Sequence, residues 1–326
     1  MTENSSLEQP KVVAVVPTRN RRALTLRFLD QMAAQTYPSL SIVMVDANSS
    51  DGTPEVVRQR HPLVIVLVAR DRDFWAGATN RGVRHALTMK ADYVLTINDD
   101  AVVEPYYVER LVALAQAQGC KILGSQINYL ADRDQIWALG SYTTWGTQDF
   151  LRLAYTGQSQ RQLPASITQA SFVAVDALPG NGVLVHHSVY RRIGLYRDRL
   201  LPHYHADSEF AMRAAHRGII PYVTPQVVVY NDFSPQQKQL PLKTLQGLAY
   251  TFGHPKSHLY LPAVAYIFLR YCPLTRKGAT LKALGQRFRG MKRYSASADE
   301  SGLEPVGTVA NASEHSPANR PNDPEP

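Results

Sequence analysis

Residues 11–20 read KVVAVVPTRN, and residues 93–100 read YVLTINDD. In each, a short β-branched run stops abruptly in polar residues, the pattern of a strand buried on both faces of a parallel sheet. Ile42–Asp46 (IVMVD) and Leu63–Val68 (LVIVLV) repeat it. Between these runs, Arg21–Gln35, Thr53–Arg60 and Trp75–Met89 carry helical periodicity and start at polar or glycine residues. Strands alternating with helices imply right-handed βαβ units, hence an α/β chain with a mostly parallel sheet flanked by helices. Further helices are predicted at Glu104–Gln118 and Ser208–Arg217, and further strands at Lys121–Asn128, Ser171–Ala177 and Gly182–Val185. Residues 130–170 read as loops and short irregular strands.

The composition narrows the class. The chain has 326 residues, 44% of them apolar, and two cysteines far apart in sequence. A disulfide scaffold and a zinc ribbon are excluded. The opening MTENSSLEQP is polar and acidic, unlike a signal peptide, and no apolar run is long enough to cross a bilayer. A soluble or membrane-peripheral protein of the cytoplasm is expected. The net charge of +8 is concentrated: residues 240–293 hold ten bases and no acid. That segment reads as helical at Lys243–Phe252, His258–Tyr271 and Ala279–Tyr294, with breaks at Pro255 and Pro273. Its basic residues accompany an apolar stretch from Tyr260 to Leu269, so an interfacial helix on an anionic membrane and an ordinary packed helix both fit. It lacks the aromatic–glycine signatures of single-strand binding modules, which argues against nucleic acid. Residues 1–10 are expected to be flexible. Residues 294–326, rich in Ser, Glu, Asn and Pro, are expected to be disordered.

In an open α/β sheet, ligands bind beyond the carboxyl ends of the strands. The residues there are Pro17-Thr18-Arg19-Asn20, Asp46 with the loop to Thr53, Arg70–Asp73 leading into Phe74–Gly77, and Asn98-Asp99-Asp100. No Gly-x-Gly-x-x-Gly follows the first strand, so a dinucleotide fingerprint is absent. Asp46 reads as a ligand for a base N–H or a ribose hydroxyl, and Asp51 as a helix cap. The adjacent carboxylates Asp99 and Asp100 need a cation or several donors to stay ionised together. Asp207 and Glu209 open a predicted helix, where a cap and a general base are compatible roles.

Taken as a series, VVAVVPTRNR, IVMVDANSSDGT, DFWAGATNRGVRHAL, VLTINDDAVVEP, DALPGNGVLVHHSVYRRIGLYRD and HADSEFAMRAAHRG resemble a family 2 inverting glycosyltransferase with the GT-A fold. The likeness runs over about residues 11–230, and its finer aspect is similar to the rhamnosyltransferase-like branch. It implies a GT-A domain at 11–239 followed by a basic helical extension at 240–293. It further implies transfer of a hexose from a nucleoside-diphosphate sugar to a glycan or lipid-linked hydroxyl, with inversion, in polysaccharide or glycolipid synthesis. By the same resemblance Pro17, Thr18, Arg19, Asp46, Trp75, Gly77, Asn80 and Asp99 border nucleotide and donor. Asp100 takes a divalent cation (magnesium or manganese), Asp207 deprotonates the acceptor, and Gly180, Asn181, Gly182 and Glu209 lie on the acceptor side. Many members carry a metal-binding histidine in the stretch that here reads Val228-Val229-Tyr230-Asn231-Asp232. The alternative is a non-catalytic nucleotide-sugar-binding protein on the same fold.

Overall fold

The computed structural model describes residues 9–233 and 244–301, with side chains as far as residue 287. The expected flexible start up to residue 8 and the expected disordered tail beyond residue 301 fall outside the described residues, while residues 294–301, expected to be disordered, continue a helix.

The chain opens with β1 (Val12–Thr18), α1 (Arg22–Ala33), β2 (Leu40–Asp46), α2 (Thr53–Arg60), β3 (Ile65–Val68), α3 (Phe74–Thr88) and β4 (Tyr93–Thr96). β1 shows why the pattern reads so cleanly. Val13 and Val15 enter one core layer, while Val12, Ala14 and Val16 enter the opposite one, all fully buried. Gly82 lets α3 lie close on this strand, because a Cβ there would stand 2.3 Å from a Val15 methyl. Next come β5 (Ala101–Val102), α4 (Tyr107–Ala117), β6 (Ile122–Tyr129), β7 (Ile136–Ala138), β8 (Ser141–Thr143), β9 (Leu151–Leu153), α5 (Ala165–Thr168), β10 (Val173–Ala174) and β11 (Val183–His186). The predicted strand Ser171–Ala177 shrinks to the two residues of β10, at the sheet edge. Then follow α6 (His187–Ile193), α7 (Ala206–Ala215) and β12 (Tyr222–Asn231).

The ten-stranded sheet has the order β3-β2-β1-β4-β11-β6-β12-β10, with β5 on β12 and β7 on β6. β1, β2, β3 and β4 are mutually parallel, and β11 runs against both of its neighbours. The chain leaves β1 toward β2 and β3, then returns to the other side of β1 as β4. The switch point therefore lies between the ends of β1 and β4, where a doubly wound sheet opens a crevice for ligands.

Beyond residue 243 the fold is helical: α8 (Leu245–Gly253), α9 (Leu261–Tyr271) and α10 (Leu274–Ser301). α9 buries Ala263, Ile267 and Tyr271, spaced one turn apart; Ala263 joins the main core, while Ile267 and Tyr271 form a small core with Phe150, Ala177, Ala211 and Met212 that seats α9 on α7. Pro273 precedes the first residue of α10 rather than separating helices at a distance, and that helix starts five residues before the predicted Ala279. No helix among the described residues is long and apolar enough to cross a membrane.

Candidate active site

The switch point gathers the carboxylates that the sequence placed at strand ends. Asp99 is 2% exposed; its Oδ2 accepts from Thr18 Oγ1 at 2.7 Å and Thr25 Oγ1 at 3.2 Å. Arg21, at the start of α1, forks across the pair: Nη1 donates to Asp99 at 2.7 Å and Nη2 to Asp100 at 2.8 Å. This is the cation that two adjacent carboxylates require. Burial alone lowers the Arg21 pKa, but Asp99 and Asp100 raise it further, so the guanidinium stays protonated. Burial also raises Asp99, against the opposing pull of Arg21 and Thr18. Sequence reading chose Arg19 here and passed over Arg21. Arg19 instead reaches the Asp71 carbonyl at 3.3 Å, joining the ends of β1 and β3. An open cleft of about 420 Å³ lies beside it, lined by Asn48, Ala69, Arg70, Asp71 and Arg72.

Two carboxylate oxygens remain uncommitted. Asp46 Oδ2 accepts from Ser49 N at 2.9 Å, while its Oδ1 is buried without a partner. Asp100 Oδ1 is likewise buried and unpartnered. Asp51 does act as a local brace: its carboxylate accepts from Thr53 N at 3.1 Å and Arg22 N at 3.0 Å.

Trp75, Ala76 and Gly77 form the first turn of α3 rather than a free turn, entered through Phe74 at φ +44°. Trp75 Nε1 donates to Asn98 Oδ1 at 3.1 Å, and Asn98 N donates to Asn181 Oδ1 at 2.9 Å. Asn181 Nδ2 then donates to Asn231 Oδ1 at 3.0 Å, so the stretch without a histidine braces the loop at Gly180–Gly182. Asn80 is 1% exposed, and both its amide atoms bond the Tyr196 backbone, at 2.8 and 3.0 Å; it positions the 196 loop. Gly182, at φ +76°, packs against the Tyr107 hydroxyl and Val229.

Asp207 stands on the far wall. α7 begins at Ala206 because His205 takes a left-handed conformation, φ 68°, and occupies the capping position. Asp207 is thus inside the first turn and is not the cap. Its Oδ2 accepts from Gly180 N at 2.7 Å and its Oδ1 from Ser208 N at 2.8 Å. Burial raises its pKa while those two amides and His205 oppose the rise, which suits a group that must take a proton near neutrality. Gly180 is squeezed between Trp75 and Asp207: a Cβ there would stand 2.4 Å from the indole and 3.1 Å from Asp207 Cβ. Asp207, Gly180, Trp75 and Asn98 therefore form one continuous wall from Asp207 to the paired carboxylates.

The C-terminal segment closes this side. His205 donates through Nε2 to the His258 carbonyl at 2.9 Å, and Tyr204 stacks on His258 at 3.6 Å between centroids. Burial lowers His203 and His258 to about 4, so both are neutral at physiological pH. Glu209, expected on the acceptor side, is held in the contact between α7 and α9. It is wholly buried and accepts from Arg197 and Arg213, each at 3.2 Å, and from the Tyr271 hydroxyl at 2.7 Å.

No group of three or more His, Cys, Asp or Glu among the described residues is arranged to hold an ion. The orphaned Asp100 Oδ1 nevertheless fits a magnesium-type ion, which takes one or two protein carboxylates and completes its shell from phosphates and water.

Residues 13–173 match glycosyl transferase family 2. The match covers just under half of the chain, from β1 to the start of β10. It is 29% identical over 114 residues to the succinoglycan biosynthesis protein ExoO of Rhizobium meliloti (strain 1021), covering 35% of this chain and 32% of ExoO. The chain spans between 15% and 40% of the curated relatives it matches. In structure it is similar to S. aureus TarS, with TM-score 0.52 and 14% identity over 89% of this chain and 53% of TarS. It is also similar to GalNAc-T7 solved with UDP, GalNAc and Mn2+, with TM-score 0.58 and 14% identity over 90% of this chain and 58% of the other. At such identity these likenesses establish the fold. None of the proteins named here supports the narrower rhamnosyltransferase-like placement.

Proposed function

We propose that the chain is an inverting glycosyltransferase that moves a hexose from a nucleoside-diphosphate sugar to a hydroxyl of a glycan or lipid-linked acceptor, in polysaccharide or glycolipid synthesis. The observation that carries the reading is the pairing of two buried, unpartnered carboxylate oxygens, on Asp46 and Asp100, with a single carboxylate base on the facing wall. Asp46 Oδ1 is placed to accept from a nucleoside N–H or hydroxyl. Asp100 Oδ1 is placed to hold a magnesium or manganese ion, which would supply positive charge against the departing diphosphate. Arg21 holds the Asp99–Asp100 pair in place. Asp207, steadied by two backbone amides, accepts the proton of the acceptor hydroxyl as that oxygen attacks the anomeric carbon opposite the leaving group. One base and one leaving-group cation suffice for inversion, and nothing in the site calls for a second catalytic carboxylate.

Asp100→Ala should abolish the metal-dependent part of nucleoside-diphosphate binding. Titration calorimetry with UDP or GDP, with and without manganese, reads this directly. Equal affinities with and without the metal in the unaltered protein would remove Asp100 from its role.

The C-terminal helices supply a location. Leu261, Leu269, Leu274 and Leu281 are exposed beside Arg270, Arg276, Lys277 and Lys282, and residues 240–293 contain no acid. We assign this face to the cytoplasmic surface of an anionic bilayer, each base near the surface contributing about 1 kcal/mol. The protein should pellet with phosphatidylserine vesicles at low salt and not with neutral ones. Failure to pellet with the anionic vesicles would end that assignment.

A further inference from the structure

Away from the switch point, a cavity of about 120 Å³ lies between the C-terminal half of α7 and the end of α9. Its lining is Arg197, Arg213, His216, Arg217, Arg270 and Tyr271. The one carboxylate beside it, Glu209, is already taken by Arg197, Arg213 and Tyr271. Arg213 is further fixed by the carbonyls of Ile193 and Leu195. Arg217 and Arg270 bring two more positive charges with no carboxylate partner among the described residues, and Arg270 lies 5.6 Å over the Tyr271 ring. His216 is anchored to the Met212 carbonyl through Nδ1 at 2.9 Å, which leaves Nε2 to the cavity side.

We propose that this cavity is a second anion site, built for a single phosphate group. Four guanidinium groups converge on it against one carboxylate, and their mutual repulsion is relieved by a bound anion. Guanidinium forks match the oxygens of phosphate, and Glu209 holds Arg197 and Arg213 in place before any ligand arrives. The volume is well above the roughly 10–15 Å³ that admits one water, so a tetrahedral anion fits. The site is separate from the donor crevice: Ala215, the last residue of α7, stands about 12 Å along the helix axis from Asp207 at 1.5 Å per residue, and Arg217 follows it. Because α7 and α9 each contribute arginines, the bound group ties the C-terminal helices to the catalytic domain. The phosphate is either free in solution, as inorganic phosphate or a phosphomonoester, or the headgroup of a phospholipid.

The test is thermal unfolding of the full chain, without nucleotide, in sodium phosphate against sodium chloride of equal ionic strength. Phosphate should raise Tm saturably by about 2–4 °C, the shift expected of a modest ligand on a chain of this size. Arg217→Gln combined with Arg270→Gln, both exposed and without carboxylate partners, should abolish the shift while leaving the chloride Tm in place. Asp100→Ala should retain it. A shift equal in chloride, one that survives the double substitution, or one lost in Asp100→Ala would overturn the proposal. Vesicles of phosphatidic acid distinguish the sources. Binding that free phosphate displaces assigns a lipid headgroup, and a phosphate-dependent shift with no such displacement assigns a soluble phosphate.

Discussion

Asp207→Asn should lower turnover by at least about 100-fold while leaving nucleoside-diphosphate affinity unchanged, the scale on which general-base catalysis is lost. The asparagine keeps the size of the side chain and one carbonyl oxygen for the Gly180 or Ser208 amide, so the wall from Gly180 to Asn98 stays in place. What disappears is the capacity to take the acceptor proton. The proposed donor contacts, Asp46 and Asp100, stand on the other side of the crevice, so binding and turnover should separate. The pH profile adds a second readout. Burial raises the Asp207 pKa, so the rate of the unaltered enzyme falls on the acid side as the carboxylate protonates. The asparagine variant should lose that acid limb. Transfer assays at saturating donor, paired with calorimetry on the nucleoside diphosphate, measure both effects; undiminished turnover would remove Asp207 as base.

How far the sequence reveals this site depends on whether a residue's role is local. β1, β2 and β4 are legible because each is buried on both faces, leaving no polar residue to interrupt the run. Asp46 and Asp100 are legible because they stand where those runs end. Arg21 was invisible: its partners are 78 and 79 positions away, and a lone arginine after Thr-Arg-Asn looks like any helix start. The start of α7 was placed two residues late because nothing in the string shows that His205 adopts a left-handed conformation. β12 reads poorly as a strand because Pro225 and a register shift between Thr224 and Val228 break it midway. Glu209 was misread for a physical reason. Its position near a helix start suits the helix dipole and the resemblance put it on the acceptor side, but burial by the aromatic residues of α9 is a tertiary event encoded 57 and 62 positions later.

Glu209→Ala should destabilise the protein by about 3–5 kcal/mol, the cost of breaking a buried ion pair by removing one partner. Glu209 is 0% exposed and, among the described residues, is the acid paired with Arg213, whose side chain is 12% exposed. Without it the Arg213 guanidinium retains backbone carbonyls of Ile193 and Leu195 but no countercharge, and the Tyr271 hydroxyl loses its acceptor. Glu209→Gln tests the charge separately from the hydrogen bonds. The amide oxygen still accepts one donor, but the second oxygen becomes an N–H facing a guanidinium, so the loss should be comparable. At about 2–4 °C of Tm per kcal/mol for a chain of this size, the alanine variant should melt at least 6 °C lower. The effect should not be uniform along the chain. Tyr266 and Tyr271 bring α9 to Glu209, so the C-terminal helices should become sensitive to limited proteolysis at temperatures where the sheet is still intact. A Tm within 2 °C of the unaltered protein, with α9 still protected, would show that the apolar contacts of Ile267 and Tyr271 with Met212 seat the helix without the ion pair.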